Sequence, residues 1–490
     1  MRLRIFIFLA ITASAIFAFI QTNISLIESE HYDLNGIESY FVQNIVRNVN
    51  GLQYYSDPYN YPFFIFTYTP LYFIVSDLFY NLKSLSYECS IESLFQIYHH
   101  YRWMSTFFAI FSIFILFRFL YSSRNSLNHF LIGAIVLLIV FFSFPSTIMA
   151  VRGDSLAMLF FSMLILVVSK SLNHGFFTIK NLIVCAFLGS LAFFSKQTSV
   201  TFIGALPIYF LLKREFKTLV YFCSIQAIFI ALGLGIFVFI YGQEFIPNCF
   251  QLAKTDFDIN WGMYTILSLF QTKNYIFIIV ALLLACFNYW SRIVKIEFYS
   301  ILFIFCLATN VFFSFKHGSW INYFNEAIIS GCLLIYIWMK DFSFRNKKLT
   351  YLLLGLYFSL IIFFKLSSVF LPNQKPIFLT STEKATINKQ IDFILMNLNG
   401  KSFFSDNEYL NTALANHLFY PYVYKNKTYE CIISDKVKVA IDQGKLKYLV
   451  LQTNDENELT NFFGIDIRNK YKLVNTIGKL SFYLYVPNPL

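Results

Sequence analysis

The chain has 490 residues, 57% of them hydrophobic and only 13% charged, with 62 Phe, 33 Tyr and a mean hydropathy of +0.58. That composition excludes an ordinary soluble globular protein. The net charge of +11 does not mark a nucleic-acid binder, because Lys and Arg flank apolar runs and do not gather into a basic stripe with interleaved aromatics.

A bilayer core takes about 20 apolar residues per helix. Such runs recur to about residue 370, and the composition then turns polar. The expected architecture is an α-helical polytopic membrane protein, with a membrane domain over 1–370 and a small C-terminal α/β domain over 371–490. About eleven spans are expected, at 3–22, 103–121, 128–147, 155–170, 179–195, 198–212, 218–241, 274–291, 297–315, 320–338 and 349–370. The opening run carries Ala13-Ser14-Ala15 as a cleavage-like site, but its apolar stretch continues to Ile20, so an uncleaved first helix is expected.

The outer loop 23–102 follows, with Asp33, Glu38 and Asp57 among Tyr and Pro residues. Carboxylates against a membrane surface are costly unless solvated or used, which makes this loop the first candidate site. Within it, 63–82 is apolar enough to be a twelfth span, and charge argues against that. With 63–82 left outside, fifteen Lys and Arg fall in the short loops on the side of the N-terminus, against nine in the much longer opposite loops. The positive-inside rule then makes the N-terminus cytoplasmic. The 63–82 stretch reads as a surface helical hairpin bent at Pro62 and Pro70, and the rings of the Tyr-rich segment 54–72, which could stack on sugar faces, read mostly as interfacial anchors.

This topology collects the unusual polar residues on the outer face. They are Arg102 at the start of its helix, Arg152 and Asp154 in VRGDSLAM, Lys196 and Gln197 in FFSKQTSV, and Lys316, His317, Asn322, Tyr323 and Glu326 in FKHGSWINYFNEA. Asn322 and Glu326 are four apart and share a helical face. The loop 241–274 is expected to fold over the site. In the tail, a strand near 401–405, helices near 407–417 and 435–443, a strand at 447–452 and a hairpin over 471–486 are expected. Five of the eight cysteines sit in apolar helices and no C-x-x-C spacing occurs, so neither zinc nor redox chemistry is supported.

Taken in order, several strings resemble the polytopic C-type glycosyltransferase superfamily, in particular the bacterial protein mannosyltransferase and lipid A aminoarabinose transferase group. They are the acidic first loop, Gly51 and Tyr54 leading to Asp57, Y-T-P-L-Y-F at 68–73, Arg102, R-x-D at Arg152 and Asp154, K-Q-T at 196–198, and G-S-x-x-N-Y-x-x-E at 318–326. The resemblance implies inverting transfer of a sugar from a polyprenyl-phosphate donor to a lipid, glycan or protein acceptor at the outer face of a bacterial inner membrane. Similar enzymes often carry adjacent acids where this chain separates Asp33 and Glu38 by LNGI. The general base is therefore expected to be Asp33 first or Glu38 second. Lys196, Arg152, Arg102 and Lys316 are the candidate donor-phosphate cations, with Asp57, Asp154, Gln197, His317, Asn322, Tyr323 and Glu326 in support. No cofactor is required, although a divalent cation shared by Asp33, Glu38 and Asp154 is allowed. A transporter or flippase is the competing class, but transporters place ionisable groups at mid-membrane. An O-antigen-type polymerase, the other alternative, concentrates its chemistry in a large later loop.

Overall fold

The computed structural model describes residues 2–31, 38–57, 66–82, 88–122, 127–143, 149–251, 257–271, 275–291, 294–316, 319, 321–341, 376–398, 402–405, 407–418, 439–452 and 471–485, with isolated positions between 348 and 359. Pro62 and the expected helix start at 435–438 lie outside them.

Among the described residues, five helices are long and apolar enough to cross a membrane: Ile91–Leu120, Asp154–His174, Phe216–Tyr241, Glu297–Ser314 and Ile321–Met339. Shorter apolar helices run Leu9–Gln21, Ile179–Ser195 and Gln197–Leu212. The bundle turns large apolar side chains outward, such as Phe107, Phe111 and Phe114 on one helix and Val220, Ile228, Leu232 and Phe239 on another. In water such a face would be an aggregation surface; hydrocarbon is the solvent that suits it.

The first-loop assembly is built from α1 (Arg2–Ile27), α2 (Glu38–Val49), α3 (Leu71–Leu82) and the start of α4 (Ile91–Ser122). α3 has 12 residues, about 18 Å, well short of a bilayer core. α4 begins twelve residues before its expected start at 103, so its first three turns belong to the loop assembly. The aromatic residues expected as surface anchors are partly a core instead. Tyr54, Tyr55, Phe66, Tyr72 and Phe73 are buried, with Phe41 stacked on Phe73 at 5.4 Å and Phe66 edge-on to Phe73 at 4.5 Å. Rings of this size bury more apolar area against one another than a headgroup layer offers.

Next come α5 (Leu127–Ser143), α6 (Asp154–His174), α7 (Ile179–Ser195), a 3-10 turn Gln197–Val200, α8 (Thr201–Leu212) and α9 (Phe216–Tyr241). α6 packs on both α4 and α7, and its backbone ends in a left-handed Gly175. Beyond α9 the expected loop contains a helix, α10 (Ile259–Gln271), capped by Asp258 Oδ1, which accepts from Asn260 N at 2.8 Å and Trp261 N at 3.1 Å. It exposes Ile259, Met263, Tyr264, Leu267 and Phe270 on one side, the pattern of a helix lying in a membrane interface. α11 (Tyr275–Ser291), α12 (Val294–Ser314), a 3-10 turn Ile321–Phe324 and α13 (Asn325–Asp341) complete the bundle.

The C-terminal unit opens with a helix absent from the sequence reading, α14 (Ser381–Leu398). A capping box starts it: Thr380 N donates to Glu383 Oε2 at 2.8 Å and Glu383 N donates to Thr380 Oγ1 at 3.2 Å. Strand β1 (Ser402–Ser405), helix α15 (Glu408–Ala413), and strands β2 (Leu446–Gln452), β3 (Tyr471–Ile477) and β4 (Leu480–Tyr485) follow. The sheet order is β1-β2-β4-β3, with β1 parallel to β2 and the other pairs antiparallel. Its buried residues run into those of the first loop as one continuous cluster, so the boundary near 370 divides composition but not packing. Glu30 pins the join, accepting from Leu379 N at 2.8 Å and pairing with Lys384 Nζ at 2.5 Å, and Asn388 reaches Ile91 N and Glu92 on α4.

Candidate functional site

Two polar nodes lie between the first-loop assembly and the bundle. In the first, Arg102 on α4 meets the carboxylate of Glu38 at the start of α2 with both arms: Nε to Oε1 at 2.8 Å and Nη2 to Oε2 at 2.7 Å. The guanidinium also donates to Ser29 O at 2.5 Å and His31 O at 2.7 Å, and Val151 N donates to Glu38 Oε1 at 2.9 Å. Both side chains are fully buried. Glu38 and Arg102, expected as a base and a phosphate cation, thus satisfy each other. A planar fork matched to a carboxylate is the usual way to bury two charges. In this geometry they tie α2 to α4 and to the entrance of α6. Asp33 lies outside the described residues.

The second node gathers residues from three parts of the chain. Asp154, the first residue of α6, pairs with Arg152 through Oδ2 and with Lys196 Nζ through Oδ1 at 2.8 Å; Asn322 Nδ2 also donates to Oδ1 at 3.0 Å. Lys196 follows directly on α7 and lies over the Tyr323 ring, 5.2 Å from its centroid. Glu326, in the first turn of α13, accepts from Ser199 Oγ at 3.2 Å. All of these side chains are nearly buried, Lys196 at 11% exposed and Asp154 at 5%. Burial alone disfavours the Lys196 ammonium, but Asp154 and Glu326 together outweigh it and raise its pKa above the ordinary value.

A small cavity opens on this node, lined by the polar Asp154, Lys196, Asn325 and Glu326 and the apolar Met158, Phe161 and Ile329. Around it, Ser155 Oγ, Thr198 Oγ1, Asn322 Oδ1 and Asn325 Oδ1 are buried without a protein partner among the described residues. Native interiors rarely leave such atoms orphaned, so they mark a place for a polar ligand or ordered water.

Gly153 makes the node possible. A Cβ there would sit 2.1 Å from Ser195 O, so only glycine lets the entrance of α6 lie against the end of α7 and bring Asp154 to Lys196. Gly153, Ser199 and Asn325 were not singled out in the sequence. Their signal was adjacency to R-x-D, K-Q-T and Glu326.

Gln197 Nε2 donates to Thr67 O at 3.0 Å and Cys249 O at 2.8 Å, joining the first loop to the turn after α9. Asn248 in that turn accepts from Phe66 N at 2.9 Å and donates to Ser56 O at 2.9 Å. Lys316 is half-buried, bridged through its backbone to Phe257, and burial lowers its pKa. Asp57 is half-buried at the end of a described stretch, and His317 lies outside the described residues. The loop 241–274 reaches the site indirectly: Trp261 Nε1 on α10 donates to Ser319 O at 2.8 Å, just before the turn that carries Asn322 and Tyr323. Among the described residues, no group of three His, Cys, Asp or Glu side chains is placed to hold a metal ion. Comparison of the chain with models of known protein families and with curated proteins gives no match.

Proposed function

We propose that the chain is an integral-membrane glycosyltransferase. It moves a sugar from a polyprenyl-phosphate donor to a lipid, glycan or protein acceptor, with about eleven spans, a cytoplasmic N-terminus and an extracytoplasmic C-terminal unit in a bacterial inner membrane. One observation carries the reading: two cations, two carboxylates and several unpartnered polar atoms converge at the polar end of apolar helices, beside a lipid-facing bundle. A lipid phosphate is amphipathic in the same sense, with its charge at the boundary and its chain in hydrocarbon.

In the proposed reaction an acceptor hydroxyl or amine attacks the anomeric carbon while a first-loop carboxylate, Asp33 in this reading, takes its proton. The bond from carbon to phosphate oxygen breaks, and negative charge grows on the departing phosphate. Lys196 and Arg152, already held in place, stabilise that charge without reorganisation. Placement of the charges at one end of the bundle, away from mid-membrane, favours this reading over a transporter.

The test is photocrosslinking with a polyprenyl phosphate bearing a benzophenone. Labelling of peptides containing 193–201 or 321–329, competed by unmodified polyprenyl phosphate and lost in Lys196→Ala, is expected. Labelling that survives Lys196→Ala and competition would remove the site from the reading.

A further inference from the structure

With all four side chains ionised, the charges of the second node sum to zero: Arg152 and Lys196 against Asp154 and Glu326. Resting on the lipid-phosphate reading above, this has a consequence for binding. A sugar-bearing phosphodiester brings one further negative charge into a site whose side chains are nearly buried, and an uncompensated charge in such surroundings is strongly disfavoured. One of the two carboxylates must be neutralised, or a cation must enter with the ligand.

The two carboxylates are not equivalent. Asp154 is held by three donors, Arg152, Lys196 and Asn322. Glu326 accepts one side-chain hydrogen bond, from the neutral Ser199, besides one from its own backbone N–H, and lines the cavity with Met158, Phe161 and Ile329. The groups facing it are Lys196 at the end of α7, Asp154 on α6, Tyr323 on its own segment, and Cys306 on α12, with Asn310 of α12 accepting from Ala327 N close by. Among these, Lys196 is the cation, and a phosphate bound at Lys196 competes with Glu326 for its charge.

We infer that Glu326 takes up one proton from solvent when an anionic lipid phosphate binds at Lys196 and Arg152, so that donor binding at this site is coupled to protonation of an intramembrane carboxylate. An O–H bond forms on the carboxylate and no other bond changes. Because the proton travels with the ligand, affinity rises with falling pH, by about tenfold per pH unit where the coupling is complete. After transfer the departing phosphate still holds the protonated carboxylate, and release of the lipid returns the proton.

The test uses the full chain in nanodiscs and farnesyl methyl phosphate, a phosphodiester whose own charge is constant between pH 5 and 9. Calorimetry in buffers of different ionisation enthalpy gives the number of protons taken up per ligand. About one proton is expected in wild type and none in Glu326→Gln, which should bind at least as tightly at pH 8 and with a flat pH profile; Glu326→Asp, retaining a carboxylate, should restore uptake. Binding without proton uptake overturns the inference, whether it depends on added Mg²⁺, which assigns the compensating charge to a cation, or not. Equal uptake in wild type and Glu326→Gln overturns it as well. If folded protein fails to bind the probe at any pH, the lipid-phosphate reading beneath it falls first.

Discussion

Arg102 and Glu38, 64 residues apart, form a two-armed ion pair at 2.8 and 2.7 Å with neither side chain exposed, and Arg102 also grips the carbonyls of Ser29 and His31. Removing one partner of a buried pair leaves the other charge unmatched, which typically costs about 3–5 kcal/mol. Arg102→Leu and Glu38→Gln are therefore expected to lower the thermal stability of the detergent-solubilised protein sharply, and Arg102→Lys to rescue little, since an ammonium cannot serve both oxygens and two carbonyls. A Glu38→Gln variant as stable as wild type but inactive would return Glu38 to the catalytic role.

Gly153 yields a second prediction. With a Cβ 2.1 Å from Ser195 O, Gly153→Ala must push the entrance of α6 away from α7 and separate Asp154 from Lys196. All charges remain, yet donor binding should fall by tenfold or more. Equal binding by this variant would show that the contact is not needed for the site.

The join between the C-terminal unit and the first loop predicts graded effects. Glu30 both pairs with Lys384 and accepts from Leu379 N, whereas Lys384 contributes a partly exposed pair. Lys384→Ala should cost about 0.5–1 kcal/mol at most, and Glu30→Ala more, seen as faster proteolysis in the 376–380 segment. Equal resistance in both variants would argue against Glu30 as the anchor.

Asp77 on α3 accepts from Tyr54 Oη at 2.5 Å, and burial pushes its carboxyl up to about 6 despite that hydrogen bond. The folded state holds the proton more tightly than the unfolded chain, so its stabilising contribution is full below about pH 4 and is lost as pH rises through about 6. Asp77→Asn should flatten the pH dependence of the melting temperature over that window. Tyr54→Phe, which removes the donor to the carboxylate, should move the window upward.

Much of the membrane character was legible, because length and hydropathy of a helix depend on its own residues alone. The polar strings around Arg152, Lys196 and Asn322 were legible as unusual residues at helix ends, and the structure brings them together. Partner choice was not legible. Arg102 stood with the phosphate cations by its position at a helix start, yet it turns to Glu38, a contact set by how α2 packs on α4. Tyr54 and Tyr72 looked like surface anchors because local sequence cannot distinguish a ring against headgroups from one against other rings. α14 was missed although the T-x-x-E pattern at Thr380 and Glu383 announces its start. α10 was missed because its apolar stripe is short and one-sided.

The most direct measurement is sugar transfer in membranes containing the wild-type protein, supplied with a panel of radiolabelled polyprenyl-phosphate sugars and compared with Asp33→Asn, Lys196→Ala and Asp154→Asn at matched expression. One donor should be consumed and its label should move to an acceptor; Lys196→Ala and Asp154→Asn should reduce transfer by about a hundredfold or more through donor binding and charge stabilisation, and Asp33→Asn should abolish transfer while donor binding persists. Folded wild-type protein that consumes none of the donors, or transfer unchanged by Lys196→Ala, would contradict the assignment of a lipid-phosphate glycosyltransferase.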